Sequence, residues 1–262
     1  MTQMGVTVVV PTKNSGRTIR ACLESIKAQS HKCTLVVVDN FSDDDTFEIA
    51  KSIADIAVQR GPERSAQRNH GASLTSDPIV GFIDSDMILT SDVVRESVDS
   101  ILSGAVTVIV PEETIGVGYW ARVSAYERSF YHGYDAIEAP RFFTREVLDL
   151  VGGWDETMTG AEDWDLAIRT ESYGSRRRIS SKIIHDEGRV SYWQICKKKQ
   201  YYSAGVLLYI KKYGSNGLKS IMLRPWMKPT VLLNVFGFGI LFLKIGQSFS
   251  MLVGILRTWL LR

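Results

Sequence analysis

Along the first ninety residues, apolar runs and polar loops alternate with the spacing that a parallel sheet and its crossover helices impose. Val6 to Val10 is a β-branched run closed by Pro11, and polar Thr12 to Gly16 follows, predicting a buried strand and the loop beyond its carboxyl end. From Arg17 to Gln29 the apolar residues Ile19, Cys22, Leu23, Ile26 and Ala28 recur close to i, i+3, i+4, i+7, which predicts a helix with one buried face. Leu35 to Val38 then predicts a second strand ending at Asp39 and Asn40, Phe47 to Ile53 a second helix, and Ile56 to Val58 a short third strand. Pro62 to Leu74 predicts a third helix with Arg64, Arg68 and Asn69 on its polar side, and Ile79 to Ile83 a fourth strand running into Asp84-Ser85-Asp86. Strand and helix in alternation imply an α/β fold, a mostly parallel sheet with helices on both faces.

The later pattern is less regular. Val106 to Val110 reads as a strand, Tyr119 to Tyr134 as an aromatic-rich helix, Phe142 to Leu150 as a short strand and helix, and Gly152-Gly153-Trp154-Asp155 as a turn. Glu162 to Tyr173 reads as a helix with Glu162 and Asp163 in its first turn, where the macrodipole favours negative charge. Val231 to Leu243 and Phe249 to Leu256 are apolar, separated by the polar Lys244 to Ser248. Neither piece reaches the roughly 20 residues a bilayer span needs. Joined, they would place Lys244 near mid-membrane, at a cost of at least about 2.5 kcal/mol on insertion scales.

Charge sharpens this division. The formal net charge is +2, yet residues 1–189 carry 20 basic and 29 acidic side chains, whereas residues 190–262 carry 11 basic and no acidic ones. Two domains are therefore expected, 1–189 with the α/β pattern and 190–262 basic, aromatic and apolar. A carboxylate-free tail with Trp193, Tyr201, Tyr202, Tyr209 and Trp226 among its lysines suits an anionic lipid surface. The long apolar stretch argues against nucleic acid, which would not need it. The expected arrangement is interfacial helices or a shallow re-entrant hairpin on the cytoplasmic face of the cell membrane, with a single span and a homo-oligomer built on a buried helix pair as the alternatives. Cys22, Cys33 and Cys196 show no metal spacing and read as reduced thiols, and Met1 to Val10 reads as a first strand without the pattern of a signal peptide.

The candidate chemistry lies at strand ends. Thr12 to Asn14, Asp39 to Asp45 and Asp84 to Asp86 all follow predicted strands, so in a parallel sheet they converge on one edge, where ligands bind near a switch in strand order. Two carboxylates spaced i, i+2 beyond a strand suit a hard divalent cation that holds a diphosphate.

With the blocks Val10-Pro11-Thr12-Lys13-Asn14, Val38 to Thr46, Arg68-Asn69-His70-Gly71, Asp84-Ser85-Asp86, Gly152 to Asp155 and Glu162 to Leu166 in this order, the chain resembles glycosyltransferase family 2 over residues 4–188. The resemblance implies a GT-A fold with a Rossmann-like sheet, a nucleotide-sugar donor and a Mn²⁺ or Mg²⁺ cofactor. It implies that Pro11, Thr12 and Asn14 line the nucleotide site, that Asp39 with Asn40 receives the uracil or other base, and that Asp44 takes the ribose side. It further implies that Arg68 points a cation toward phosphate or toward Asp84, that Asp84 with Ser85 contacts sugar or ribose or reaches the metal through water, and that Asp86 binds the metal with His185 as a second ligand. Asp163 would be the general base of an inverting transfer, with the neighbouring Glu162 raising its proton affinity, and Trp154 and Trp164 would wall the acceptor. The Gln-x-x-Arg-Trp run of processive members is absent beyond His185, where the nearest residues are Tyr192 to Cys196, so one sugar is expected per encounter. A membrane-adjacent enzyme implies a lipid-linked or other glycan acceptor. A polyprenyl-phosphate acceptor, which needs no base, and a non-catalytic membrane module on the same fold are the rival readings.

Overall fold

The computed structural model describes residues 3–222 and 225–260; the first two residues of the leading segment and residues 223–224 and 261–262 of the basic tail lie outside the described residues. Contacts group the chain into two compact units, 1–112 with 139–156 and 165–186, and 113–138 with 157–164 and 187–262. The sequence suggests a single boundary near residue 189; the grouping instead assigns two earlier segments to the tail.

In the first unit β1 (Val6–Thr12), β2 (Thr34–Asp39), β3 (Ile56–Gln59), β4 (Ile79–Phe82), β6 (Ala105–Ile109), β8 (Phe142–Thr144) and β9 (Ser175–Arg178) form one sheet, ordered β3-β2-β1-β4-β8-β6-β9. The first four strands are parallel, and β8 is antiparallel to both β4 and β6. Chain order reverses between β1 and β4, so their carboxyl ends, Thr12 and Phe82, open side by side at the switch point. Period-two alternation sends Val6, Val8 and Val10 to one face of β1, where they pack with Leu23 and Ile26 of α1 (Ile19–Lys27) and Val94 and Val98 of α4 (Val93–Leu102). Val9 points to the other face with Val36, Val38, Val80 and Phe82, beneath α3 (Arg64–Ser73). A Cβ on Gly71 would lie 2.4 Å from Val9 Cγ1, so only glycine lets α3 settle this closely on β1.

Elements beyond the predicted ones include β5 (Met87–Leu89), β7 (Glu112–Val117), β9 and α4. Ser-Arg-Arg-Arg of β9 has no apolar pattern, and as the sheet's outer strand it needs none, since arginines discourage edge pairing. β10 (Ile183–Arg189) carries His185 as its third residue and lies between β5 and β7 in a small second sheet.

The second unit is helical. It contains α5 (Tyr119–Ser129), α8 (Tyr192–Tyr201), α9 (Ser203–Met222, kinked at Gly214), α10 (Pro229–Leu232) and α11 (Val235–Leu260). Ser191 starts α8 with a capping box, its hydroxyl accepting from Gln194 N–H while the Gln194 side chain accepts from Ser191 N–H. The expected break at Lys244 does not occur: α11 runs through it as one helix, long and apolar enough between Val235 and Arg257 to cross a membrane. The polar interruption is satisfied by protein. Lys244 Nζ lies 2.6 Å from Glu127 Oε1 of α5 and 2.8 Å from Gln247 Oε1, and the Tyr131 hydroxyl also donates to Glu127. Ile240 and Leu243 are buried with Val123, Cys196 and Trp226, whereas Phe238, Ile245, Phe249, Leu252 and Leu256 line an exposed apolar stripe.

Glu127→Ala strands a largely buried lysine. Unfolding in urea should show a loss of about 2–3 kcal/mol, below the roughly 3–5 kcal/mol for breaking a fully buried pair because Lys244 keeps some exposure. The double substitution with Lys244→Met should recover most of that loss, and an undiminished deficit would exclude the ion pair as its origin.

Candidate active site

Parallel register sets Thr12 beside Asp39, and Asn40 N–H donates to Thr12 carbonyl oxygen at 2.8 Å, so the loops after β1 and β2 leave the sheet together. They are then tied to each other. Asn14 N–H donates to Ser42 Oγ at 2.8 Å, Asp43 N–H to Asn14 Oδ1 at 2.9 Å, Ser15 N–H to Thr46 Oγ1 at 2.7 Å and Gly16 N–H to Asp44 Oδ2 at 3.0 Å. Asn14 and Phe41 both have φ of +50°, a conformation that asparagine tolerates and phenylalanine adopts only under constraint. Phe41 nonetheless presents its ring to solvent, 60% exposed.

Of the nucleotide-site residues, Asp39 is fully enclosed rather than open at the sheet edge. Its Oδ2 accepts from Ser42 N–H at 2.9 Å and Gln59 Nε2 at 3.0 Å, and the Ser42 hydroxyl donates to Oδ1. Asp44 is exposed; the Thr46 hydroxyl, helped by the Gly16 and Thr46 backbone N–H groups, outweighs desolvation and keeps its carboxyl below the usual range. Asn40 Nδ2 donates to the Pro62 carbonyl, and Ser85 shares a 2.8 Å hydroxyl contact with Ser15, which joins the β4 loop to the β1 loop. Pro11 is buried in β1. The buried Thr12 hydroxyl has no hydrogen-bond partner among the described residues.

The carboxylate pair divides into two environments. Arg68, expected on a polar helix face, is instead fully buried; its Nη2 donates to Asp84 Oδ1 at 2.7 Å. Arg141 Nη1 lies 3.7 Å from Asp84 Oδ2. Burial alone would raise the Asp84 carboxyl, but Arg68, Arg141 and Arg64 hold it far below the ordinary carboxylate range. Asp86 is more exposed and faces His185, whose Nε2 is 3.2 Å from Asp86 Oδ2. The small sheet causes this: His185 pairs with Met87 in antiparallel register, and Asp186 N–H donates to the Asp86 carbonyl at 2.9 Å.

Trp154 corrects an expectation. Foreseen as an acceptor wall, it is 3% exposed, its ring 4.2 Å beneath the Arg68 guanidinium and edge-on to Phe82 at 5.1 Å. Asn69 grips its backbone from both sides, Oδ1 accepting from Trp154 N–H at 2.8 Å and Nδ2 donating to Trp154 carbonyl oxygen at 2.9 Å. Gly153 has φ of +69°, and a Cβ there would lie 2.6 Å from Asn69 Oδ1, so the Gly-Gly-Trp-Asp turn supports Arg68 and not a ligand.

Glu162, Asp163 and Trp164 belong to the second unit, at the start of α7 (Glu162–Glu171), whereas Asp84, Asp86, Arg68 and His185 belong to the first. Glu162 is buried and accepts from Gly160 N–H; Trp164 donates from Nε1 to the Ile137 carbonyl at 3.0 Å and packs against Tyr209. Two residues with no place in the sequence reading join the site. Glu112, at the first position of β7, accepts from Arg141 Nε at 2.9 Å, and its Oε2 is 3.8 Å from His185 Nδ1. A carboxylate following Pro111 at a strand end was the available signal for Glu112; Arg141 carried none.

No cluster of three His, Cys, Asp or Glu forms a metal cage among the described residues. One carboxylate and one imidazole, their nearest atoms 3.2 Å apart, suit Mg²⁺ or Mn²⁺ that takes its remaining oxygens from a diphosphate and water. Cys22 is pushed well above the ordinary thiol range and Cys33 up to about 12, in both cases chiefly by burial, so neither offers a thiolate.

Burial raises the Glu112 carboxyl, but Arg141 and His185 prevail and hold it at about 2, against an ordinary 4.5. A depressed acid stabilises the fold above its unfolded pKa and loses that contribution as pH falls through the folded one. The stability advantage of the native chain over Glu112→Gln, read by urea unfolding, should therefore be full above about pH 4.5 and shrink toward pH 2. A difference that stays constant across that window would contradict the ion-pair assignment.

Comparison with known proteins agrees with this geometry. Residues 7–155 match the family model for Glycosyl transferase family 2. Glycosyltransferase GlyA of Streptococcus pneumoniae is 31% identical over 232 residues, which is 84% of this chain and 32% of that protein. Succinoglycan biosynthesis protein ExoU of Rhizobium meliloti is 25% identical over 70% of this chain and 60% of its own length. The chain thus spans between a third and three-fifths of these relatives. Among solved structures, residues 1–349 of S. aureus TarS align with a TM-score of 0.59 at 18% identity over 96% of this chain and 81% of that one. Mannosyltransferase PcManGT from Pyrobaculum calidifontis aligns at 0.58 and 18% identity, covering 95% and 72%. With a matching family model over more than half its length and the sheet those structures share, the chain belongs to glycosyltransferase family 2 and has a GT-A fold.

Proposed function

We propose that the protein transfers one sugar, with inversion, from a nucleotide sugar, most simply a UDP-sugar, to a lipid-linked acceptor at a membrane surface. The observation that carries this reading is the division of the carboxylate pair: Asp84 is committed to two arginines, while Asp86 stands opposite His185 at 3.2 Å. S. aureus TarS 1–349 has been crystallised with UDP-GlcNAc, and PcManGT with GDP-Man and Mn²⁺, ligands of the class proposed.

Asn14, Asn40 and Asp44 border the base and ribose from two loops that brace each other, and the unpaired Thr12 hydroxyl offers a further polar contact at the strand end. Asp39 shapes the base pocket by fixing the Ser42 turn. Asp86 and His185 would hold a divalent cation, which would supply positive charge to offset that building on the leaving diphosphate. Asp163 accepts the proton of the acceptor hydroxyl as it attacks the anomeric carbon from the side opposite the diphosphate. Asp163→Asn should lower transfer by at least about 100-fold, the minimum usual for a general base, with UDP binding unchanged. Undiminished transfer would favour an acceptor that is already ionised, such as a polyprenyl phosphate.

Support for the membrane comes from the exposed apolar stripe of α11 in a unit whose residues 190–262 contain no acidic side chain. α11 packs on α5 and α8, which carry Arg122, Arg128 and Lys197 to Lys199, charges that favour a helix lying in the interface over one surrounded by hydrocarbon. The acceptor then reaches the enzyme in the plane of the membrane. The 262-residue chain should sediment with phosphatidylglycerol-containing vesicles, and Phe238→Ser with Phe249→Ser should weaken binding by about tenfold or more per side chain, given ~1.5–3 kcal/mol for burying each ring. Equal binding by the double variant would remove α11 from this role.

A further inference from the structure

Glu112 stands between the two halves of the donor site and is unused in the reaction described above. Its backbone is placed by the small sheet, where Ile183 N–H donates to the carbonyl of the preceding Pro111 at 2.9 Å, so the side chain arises beside His185. Its two oxygens face different partners. Oε1 accepts from both Arg141 Nε, at 2.9 Å, and Arg141 Nη2, at 2.5 Å, while Oε2 looks toward His185 Nδ1 at 3.8 Å, an ion-pair separation longer than a hydrogen bond. His185 Nε2 lies 3.2 Å from Asp86 Oδ2, a contact that a cation ligated by both would replace. Arg141 is itself clamped in the sheet, its N–H donating to Val108 carbonyl oxygen and its carbonyl accepting from Phe82 N–H, so it gives Glu112 a fixed anchor. The chain Asp84, Arg141, Glu112, His185, Asp86 alternates acid and base without a break.

An imidazole binds a metal through one nitrogen only if the other carries the proton, and a carboxylate beside that second nitrogen sets this tautomer and the ring's orientation. We infer that Glu112 is a positioning residue for the cation site: it holds the proton of His185 on Nδ1, so that Nε2 turns its lone pair toward the space beside Asp86, and it steadies Arg141 against Asp84. The inference rests on the proposed metal-dependent reading, because the lone pair on Nε2 matters only if a cation sits there.

The test is Mn²⁺ binding to the 262-residue chain with saturating UDP, followed by the EPR signal of free Mn²⁺. Glu112→Gln keeps the shape and removes the charge; it should weaken Mn²⁺ about 10–100-fold, the usual consequence of losing a partner of a ligating histidine. In a His185→Ala background the same substitution should add no further loss, because Glu112 acts through that ring. Asp86→Asn separates the two claims. If it leaves Mn²⁺ binding intact, the metal-dependent reading fails and the inference with it. If it abolishes binding while Glu112→Gln stays within twofold of the native chain, or if the Glu112 and His185 effects simply add, Glu112 serves Arg141 alone and only the inference is overturned. Should Glu112→Gln not fold, the native chain carries the test: two-bond ¹H–¹⁵N spectra with Mg²⁺ and UDP should show His185 as the Nδ1–H tautomer, identified by its absence in His185→Gln. The Nε2–H tautomer there would refute the assignment.

Discussion

A buried arginine facing one aspartate of a closely spaced pair is the constraint from which the rest of the site follows. Asp84 and Asp86 stand two residues apart at the end of a buried strand, and two such charges cannot both be gathered there without compensation. Arg68, with no exposed surface, supplies it for Asp84, and Arg141 reinforces it from the neighbouring strand. A buried guanidinium is stable only with its own partners in place. The Trp154 ring beneath it and the Asn69 grip on the Gly-Gly-Trp-Asp turn provide a rigid seat. A turn remote in sequence thereby sets where a carboxylate points.

Sheet order does the remaining positioning. The switch between β1 and β4 leaves an opening at their carboxyl ends, and the loops that border it are fastened mainly to one another by backbone N–H groups donating to side chains. Such a rim holds its shape before any nucleotide arrives, which reduces the ordering cost of binding. The small sheet then brings His185 to the opening through its pairing with β5.

The βαβ half of the fold was legible because β-branched runs and a 3.6-residue apolar period are strong local signals, and they set the polar loops beginning at Thr12, Asp39 and Asp84 at strand ends. What escaped notice had no such signal. Ser175–Arg178 is a strand only because β6 offers it an edge, and Arg141 reaches the site because antiparallel β8 inserts between β4 and β6, a pairing no periodicity encodes. Trp154 was misplaced because its acceptor role came from the resemblance alone, and no local pattern announced that Arg68 lies on its ring. Lys244 interrupts an apolar run in the sequence but not in the helix, since its partner Glu127 sits on α5, more than a hundred residues earlier.

Anomalous scattering from manganese in crystals grown with UDP tests the central claim most directly, because it locates the cation relative to two carboxylates whose environments differ. The account predicts a single peak flanked by Asp86 and His185 and touching the diphosphate, with Asp84 still paired to Arg68. A peak coordinated by Asp84 in place of Asp86, or nucleotide bound with no manganese beside it, would contradict it.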